Sequence, residues 1–151
     1  GALAYYVDGE APGARIRTPE INAHASPVAT VKAVRDRITA LLRGMARYGD
    51  LVVEGRDITT VVFPDSPARF YLTASAEVRA RRRQLEEVAT GVANQSAEAV
   101  KASLLARDAI DSTRACAPLR KADGVLEIDS TRLTLDEVVA TVLGALPAGW
   151  R

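Results

Sequence analysis

A short apolar run at residues 51–53 is followed, after one glutamate, by the tripeptide Gly55-Arg56-Asp57. Such a run is typical of a buried strand, and open α/β sheets bind ligands just outside the carboxyl ends of their strands. Glycine lets the backbone approach a ligand. Arg56 can donate two hydrogen bonds to a phosphate, and the carboxylate of Asp57 can accept hydrogen bonds. The sequence therefore predicts a nucleotide-binding loop, although an ordinary turn with a surface ion pair has the same spacing.

The predicted strands alternate with helices along the chain. Strands are predicted at residues 51–54, 68–72 and 125–128. Before the first strand, Thr18-Pro19 and Ser26-Pro27 each place an N-cap residue before a proline, which predicts two helices with a bend between them. Because strands that alternate with helices form βαβ units, we predict an α/β fold with a parallel sheet.

Apolar spacing and capping residues define the helices in more detail. A stripe at three- and four-residue spacing predicts that the second helix buries one face. The stripe consists of Val28, Val31, Val34, Ile38, Leu41, Leu42 and Met45. Later helices are predicted to begin after Ser75 and Ser96, with a break at residues 91–95 between them, and Thr134 with Glu137 matches a capping box for the last helix.

Composition limits the classes of partner. The chain has 151 residues, 48% of them hydrophobic, and a formal net charge of +1. This is enough apolar material for one domain, and the near-neutral charge argues against a nucleic-acid-binding surface, so a small-molecule partner is expected. Cys116 is the single cysteine and no apolar run reaches membrane-spanning length, so we expect no membrane partner and a cytoplasmic location.

The longer sequence around the tripeptide carries a family resemblance. Residues 55–65, Gly-Arg-Asp-Ile-Thr-Thr-Val-Val-Phe-Pro-Asp, and residues 70–75, Phe-Tyr-Leu-Thr-Ala-Ser, together resemble the signature of bacterial cytidylate kinases. Members of that family transfer the γ-phosphoryl group of ATP to CMP or dCMP, giving CDP or dCDP. The resemblance implies a P-loop-kinase-type parallel sheet flanked by helices, with a CMP-binding arm and a helical lid.

The resemblance covers roughly the carboxyl-terminal two thirds of such a kinase, so we expect a single partial kinase domain at residues 1–151. It assigns residues 1–48 to the CMP-binding arm, about 88–116 to the lid, and 50–75 with 117–151 to the core. The family's central first strand, which lies between the strands at 51–54 and 68–72, has no counterpart in the sequence. We therefore expect a three-stranded remnant with either marginal stability or an exposed, aggregation-prone edge.

By resemblance, Ser26, Arg35 and Asp57 bind the cytosine and Arg56 binds the monophosphate. Cytosine presents an N4 amino donor beside the N3 and O2 acceptors, which suit a carboxylate or hydroxyl and a guanidinium respectively. Uracil carries a carbonyl in place of the amino group and would leave the carboxylate facing an acceptor. Without the resemblance, Ser26 would be interpreted as a helix cap and Arg35 as part of a solvated face.

A second charged cluster lies at residues 107–114. Arg107 and Arg114 flank Asp111, and the pattern resembles the family's lid, in which the arginines act as catalytic residues that clamp phosphates and the aspartate meets the ribose. Charged residues at a helix end are also common on a solvated face. The basic stretch at residues 79–83 is expected to be exposed to solvent, and a position along the nucleotide channel is the alternative.

The sequence departs from the family at one motif. A P-loop, Gly-x-x-x-x-Gly-Lys-Ser/Thr, needs a lysine beside a glycine, and none of Lys32, Lys101 and Lys121 has such a neighbour. ATP with Mg²⁺ is implied as the co-substrate by the resemblance, while its binding residues stay unknown and no residue is assigned as a metal ligand. We expect the chain alone to be inactive and the complete form to be a monomer.

Two alternatives stay open. The chain is also compatible with a non-catalytic nucleotide-binding or regulatory module derived from a nucleoside monophosphate kinase. An α/β interaction domain that binds no nucleotide is the third hypothesis. A preference for CMP over UMP that depends on Asp57 distinguishes the first two hypotheses from the third.

Overall fold

The computed structural model of the chain describes residues 6–91 and 96–150. Five α-helices and two strands are present in this part of the chain. The helices are α1 (Pro19–Val28), α2 (Lys32–Met45), α3 (Ala76–Thr90), α4 (Ala97–Thr113) and α5 (Leu135–Gly144), and the strands are β1 (Phe70–Thr73) and β2 (Leu126–Asp129). Parts of the predicted arm and lid, and most of the predicted break at 91–95, lie outside the described residues.

The two strands pair in parallel, which confirms the predicted α/β fold with a parallel sheet. Phe70 lies opposite Leu126, and Thr73 lies opposite Asp129. The pairing continues past the strand end, where the backbone amide of Ser130 donates to the carbonyl of Thr73 at 2.8 Å. This connection fixes the carboxyl ends of both strands at one edge of the sheet.

The strand predicted at residues 51–54 is not formed. The segment has no helix or strand pairing, and Val52 is fully exposed at 104% of its reference surface. A strand needs a hydrogen-bonded neighbour, and within the described residues β1 is paired only with β2. The expected three-stranded remnant is therefore a two-stranded sheet.

The first two helices differ from their prediction at one end. Thr18 caps α1 as predicted, since its side chain accepts from the amide of Ile21 at 3.3 Å. Ser26 is not a cap: α1 continues through Pro27, which removes one N–H from the last turn, and the helix ends at the next residue. The bend therefore lies at residues 29–31, and α2 begins after Val31 without a side-chain cap.

The predicted caps of the later helices are confirmed. Ser75 accepts from the amide of Val78 at 3.3 Å, and Ser96 accepts from the amide of Ala99 at 3.2 Å. Thr134 and Glu137 form the complete capping box at the start of α5. No helix among residues 6–91 and 96–150 is long and apolar enough to cross a membrane.

The buried apolar core of the described residues is small. It consists of Val62, Ala80, Val100, Val125 and Ile128. The prediction that α2 buries its apolar stripe is wrong for this part of the chain, because α2 contains no buried residue. Helix α5 likewise buries none of its residues, so both helices present apolar side chains at the surface.

Candidate functional site

The Gly55-Arg56-Asp57 loop leads into a short π-helix, Ile58–Val62. The carbonyl of Asp57 accepts from the amide of Val61 at 2.9 Å and from that of Val62 at 3.2 Å. A Cβ atom at Gly55 would lie 3.0 Å from Cγ1 of Ile58, so the glycine allows the loop to fold tightly against the π-helix. Short π-helices often occur at functional sites. The sequence pattern did not predict this one.

Asp57 forms an ion pair with Arg35, which lies on α2. Both side chains are largely buried, with 14% of Arg35 and 5% of Asp57 exposed. Arg43, about two turns further along α2, donates from Nε to the carbonyl of Val62 at 2.9 Å and from Nη2 to that of Val61 at 2.6 Å. These bonds fasten α2 to the π-helix and so hold Arg35 beside the loop.

Helix α4 contributes two carboxylates to the same loop. Asp111 is buried, accepts a hydrogen bond from Nη1 of Arg114 at 3.2 Å, and lies 3.4 Å from Nε of Arg56. Asp108, one turn earlier, forms ion pairs with Nη1 of Arg56 and Nη1 of Arg79. Arg56 is therefore held against α4 by two aspartates.

The two groups of charges lie within electrostatic reach of each other. Burial lowers the pKa of the Arg35 guanidinium, and the positive charge of Arg114 lowers it further, while Asp111 opposes the shift. The charge of Arg114, at the end of α4, is therefore close enough to affect Arg35 on α2. Each of these two guanidinium groups is already paired with a carboxylate, Arg35 with Asp57 and Arg114 with Asp111.

The structure brings five of the predicted site residues into two contacting sets. Arg35 with Asp57 forms one set, and Arg56, Asp111 and Arg114 form the other.

Two predicted site residues stand apart. Ser26 is buried in α1, and within the described residues it makes no hydrogen bond to Arg35 or Asp57. Arg107 is half-buried on α4, and its Nε has no hydrogen-bond partner in the described part of the chain.

Sequence reasoning assigned no role to Asp108, and it gave a place along the nucleotide channel to residues 79–83 only as an alternative. The expectation that residues 79–83 are simply exposed is wrong for Arg79, which is half-buried and pairs with Asp108. Arg82 is exposed as expected, and it also donates to Ser130 and Leu133. Asp108 had a usable signal, because residues three positions apart on a helix share a face and Asp111 was already a candidate.

A cavity of about 300 Å³ lies beside the Arg35–Asp57 pair. Its wall is formed by α2, the π-helix and the turn that follows α4. The lining residues are Arg35, Asp36, Thr39, Ala40, Arg43, Val61, Cys116 and Ala117. The cavity therefore shares Arg35 with the buried ion pair.

No side-chain cluster among the described residues marks a site for the Mg²⁺ that the resemblance implies. Across residues 6–91 and 96–150, no group of three histidine, cysteine or carboxylate side chains could hold a metal ion. No step of the chemistry is therefore assigned to a metal on these residues.

Comparison with known proteins identifies the family. A sequence model of cytidylate kinase matches residues 2–147. The cytidylate kinase of Limosilactobacillus fermentum is 40% identical over 141 residues, which are 93% of this chain and 62% of the relative. Those of Mycolicibacterium paratuberculosis and Geobacter sulfurreducens are each 46% identical, over 89% and 92% of this chain and 59% of each relative.

The chain thus spans about 60% of the length of the curated relatives it matches. The match nevertheless extends over nearly the whole of the present sequence and includes every residue of the two charged sets. This chain belongs to the cytidylate kinase family.

Proposed function

We propose that this chain supplies the acceptor-nucleotide site and the lid of a kinase that transfers the γ-phosphoryl group of ATP to CMP or dCMP. The observation that carries the proposal is the buried Arg35–Asp57 pair next to Arg56. A buried pair of opposite charges can recognise a polar base because it presents donors and acceptors away from competing water. Membership of the cytidylate kinase family supports cytosine as that base.

The pair matches the hydrogen-bonding edge of cytosine. That edge presents a donor at N4 followed by acceptors at N3 and O2, so its complement is an acceptor followed by donors. The Asp57 carboxylate is the acceptor and the Arg35 guanidinium provides the donors. Uracil has an acceptor at position four and a donor at N3, and would leave both the carboxylate and the guanidinium poorly paired.

The remaining site residues take roles around the sugar and phosphates. We assign Arg56 to the monophosphate, Asp111 to the ribose, and Arg107 with Arg114 to phosphate groups at the transfer step. Phosphoryl transfer needs positioning and cations more than covalent chemistry, because charge spreads over the transferred group. A buried arginine such as Arg114 supplies that charge in a region from which water is excluded.

The chain as given is proposed to bind nucleotide without turnover. It contains no P-loop lysine beside a glycine, so nothing in it is assigned to hold the phosphates of ATP or the accompanying Mg²⁺. We further propose that residues 1–48 form the CMP-binding arm and that residues 88–116, approximately, form the lid. The complete enzyme is proposed to be a monomer in the cytoplasm. ATP and Mg²⁺ belong to that complete enzyme.

Titration calorimetry of the 151-residue chain with CMP, dCMP and UMP tests the proposal. We expect CMP and dCMP to bind at least about tenfold more tightly than UMP. Asp57→Asn should remove most of that preference, because the amide can donate to the O4 of uracil. Asp136→Asn, at an exposed position in the first turn of α5, is the matched control and should leave the preference unchanged.

Equal affinity for CMP and UMP in the folded wild-type chain would contradict the base assignment. A coupled assay with ATP, Mg²⁺ and CMP separately tests turnover. A rate above background would show that the chain alone is active and would overturn the proposed dependence on a P-loop.

A further inference from the structure

The charges between the loop and α4 do not balance. We call this set the arginine–aspartate cluster. It consists of Arg35, Arg56, Arg79 and Arg114, with Asp57, Asp108 and Asp111. Four guanidinium groups face three carboxylates, so the cluster carries one positive charge in excess. A site of this kind attracts a further anion.

Asp108 occupies a particular position in the cluster because it bridges two arginines. Its Oδ1 atom pairs with Arg56 and its Oδ2 atom pairs with Arg79, so each oxygen takes one guanidinium. A phosphate group also offers separate oxygens to separate guanidinium groups. The carboxylate of Asp108 therefore satisfies the two arginines in the way that a phosphate would.

The bridge is accessible from solvent, unlike the neighbouring pair. About one third of the Arg56 and Arg79 side chains is exposed, at 34% and 32%, and 21% of Asp108 is exposed. In contrast, Asp111 and Arg114 are exposed at only 4% and 2%. An anion from solution can reach Arg56 and Arg79 without opening the buried Asp111–Arg114 pair.

We propose that Arg56 and Arg79 together form a phosphate-binding pair and that Asp108 competes with the phosphate for it. Arg79 is then a further residue of the nucleotide site, supplied by α3 rather than by the loop or α4. Because Asp108 and Asp111 both lie on α4, phosphate binding exchanges one contact between α4 and Arg56 and leaves the other in place. The identification of the anion as the phosphate of CMP rests on the proposed function, whereas the anion site itself does not.

Calorimetry with inorganic phosphate, CMP and cytidine tests the inference on the full chain. In Asp108→Asn the competing charge is gone, so phosphate and CMP should bind at least about fivefold more tightly. Cytidine carries no phosphate, and its affinity should change by less than about twofold. A merely structural role of Asp108 would shift CMP and cytidine alike.

The role of Arg79 has its own matched pair of variants. Arg79→Gln should weaken phosphate and CMP binding at least about fivefold. Arg81→Gln removes the same charge from the exposed side of α3 and should change both affinities by less than about twofold. Circular dichroism of each variant confirms folding, and the comparison of Arg79→Gln with Arg81→Gln decides the inference if Asp108→Asn does not fold.

Three results would overturn the inference. Phosphate binding that weakens or stays unchanged in Asp108→Asn would remove the competition, and parallel shifts of CMP and cytidine would show a structural effect. Equal effects of Arg79→Gln and Arg81→Gln would exclude Arg79 from the site. Loss of the CMP preference over UMP with intact phosphate binding would instead count against the proposed function alone.

Discussion

Arg56 and Asp108 are 52 positions apart in the sequence, and an ion pair joins them. The pair connects the Gly55-Arg56-Asp57 loop to α4, and Asp111 adds a second contact to the same guanidinium at 3.4 Å. Two carboxylates on one face of a helix therefore determine where the loop arginine lies. Any motion of α4 away from the loop has to release Arg56 from both.

The ionisation of Asp108 provides a prediction for acid stability. Burial, the largest single effect, raises the pKa of this carboxyl, but the hydrogen bonds from Arg56 and then Arg79 outweigh it, and the pKa lies below its ordinary value. A carboxyl with a lowered folded pKa stabilises the fold above its unfolded pKa of about 3.9 and loses this contribution as pH falls through the folded value.

We therefore expect the free energy of unfolding of the wild type to exceed that of Asp108→Asn at pH 6, and the difference to shrink below about pH 4. Urea unfolding of both proteins between about pH 6 and 3 measures it. Other carboxyls titrate in both proteins and cancel in the difference. A difference that stays constant across this range would show that the pKa of Asp108 is the same in the folded and the unfolded chain.

Truncation of Asp57 should destabilise the fold strongly. Asp57→Ala leaves the largely buried Arg35 guanidinium without its carboxylate, and breaking one side of a buried pair costs about 3–5 kcal/mol. Urea unfolding gives the free energy of unfolding directly. Asp36→Ala, whose carboxylate pairs with Lys32 at the exposed surface, is the control and should have no measurable effect. Similar losses in the two variants would contradict the burial argument.

Arg82 should matter for the connection between α3 and the sheet. Its guanidinium donates to Oγ of Ser130 at 2.9 Å, to the Ser130 carbonyl at 2.7 Å and to the Leu133 carbonyl at 3.3 Å. Removal of charged donors from such acceptors costs about 1.5–3 kcal/mol, which is the loss expected for Arg82→Ala in thermal unfolding. Arg81→Ala, on the exposed neighbouring position, should change the melting temperature little. If Arg82→Ala and Arg81→Ala lowered the melting temperature equally, the hydrogen bonds of Arg82 would not stabilise the fold in solution.

An alanine at position 55 should fit only if the side chain of Ile58 moves. The added Cβ would lie 3.0 Å from Cγ1 and 3.1 Å from Cδ1 of Ile58, so Gly55→Ala should push the loop and lower CMP affinity. Shortening Ile58 to alanine removes both atoms. In a double-mutant cycle, Gly55→Ala should therefore cost less CMP affinity in the Ile58→Ala background, and strictly additive effects would contradict the contact.

Local sequence signals predicted the ends of elements well. Thr18, Ser75, Ser96 and the Thr134–Glu137 box each bond to an amide within their own first turn, so a few neighbouring residues decide the outcome. The parallel α/β fold was predictable for a related reason, because the alternation of strand and helix patterns is visible along the chain.

The errors concern partners that are distant in sequence. Residues 51–54 have a strand's composition, but a strand forms only where another strand lies alongside, and the described residues offer none. Ser26 precedes Pro27, which is the pattern of an N-cap residue before a proline, yet α1 continues through both residues. The bridge from Arg56 through Asp108 to Arg79 depends on the packing of α3 against α4, which no short pattern encodes.

The two-stranded sheet has a consequence for amide hydrogens. The carbonyl of Arg69 accepts from the amide of Leu126 in β2, and the carbonyl of Thr73 accepts from the amide of Ser130, which follows β2. Backbone groups alternate in direction along a strand, so those of Tyr71 also point toward β2. The backbone groups of Phe70 and Leu72 point away from β2. Only every second amide of β1 therefore has a strand partner among the described residues. Deuterium should replace the Leu72 amide hydrogen quickly and that of Tyr71 slowly, so the sheet would be protected on a single side.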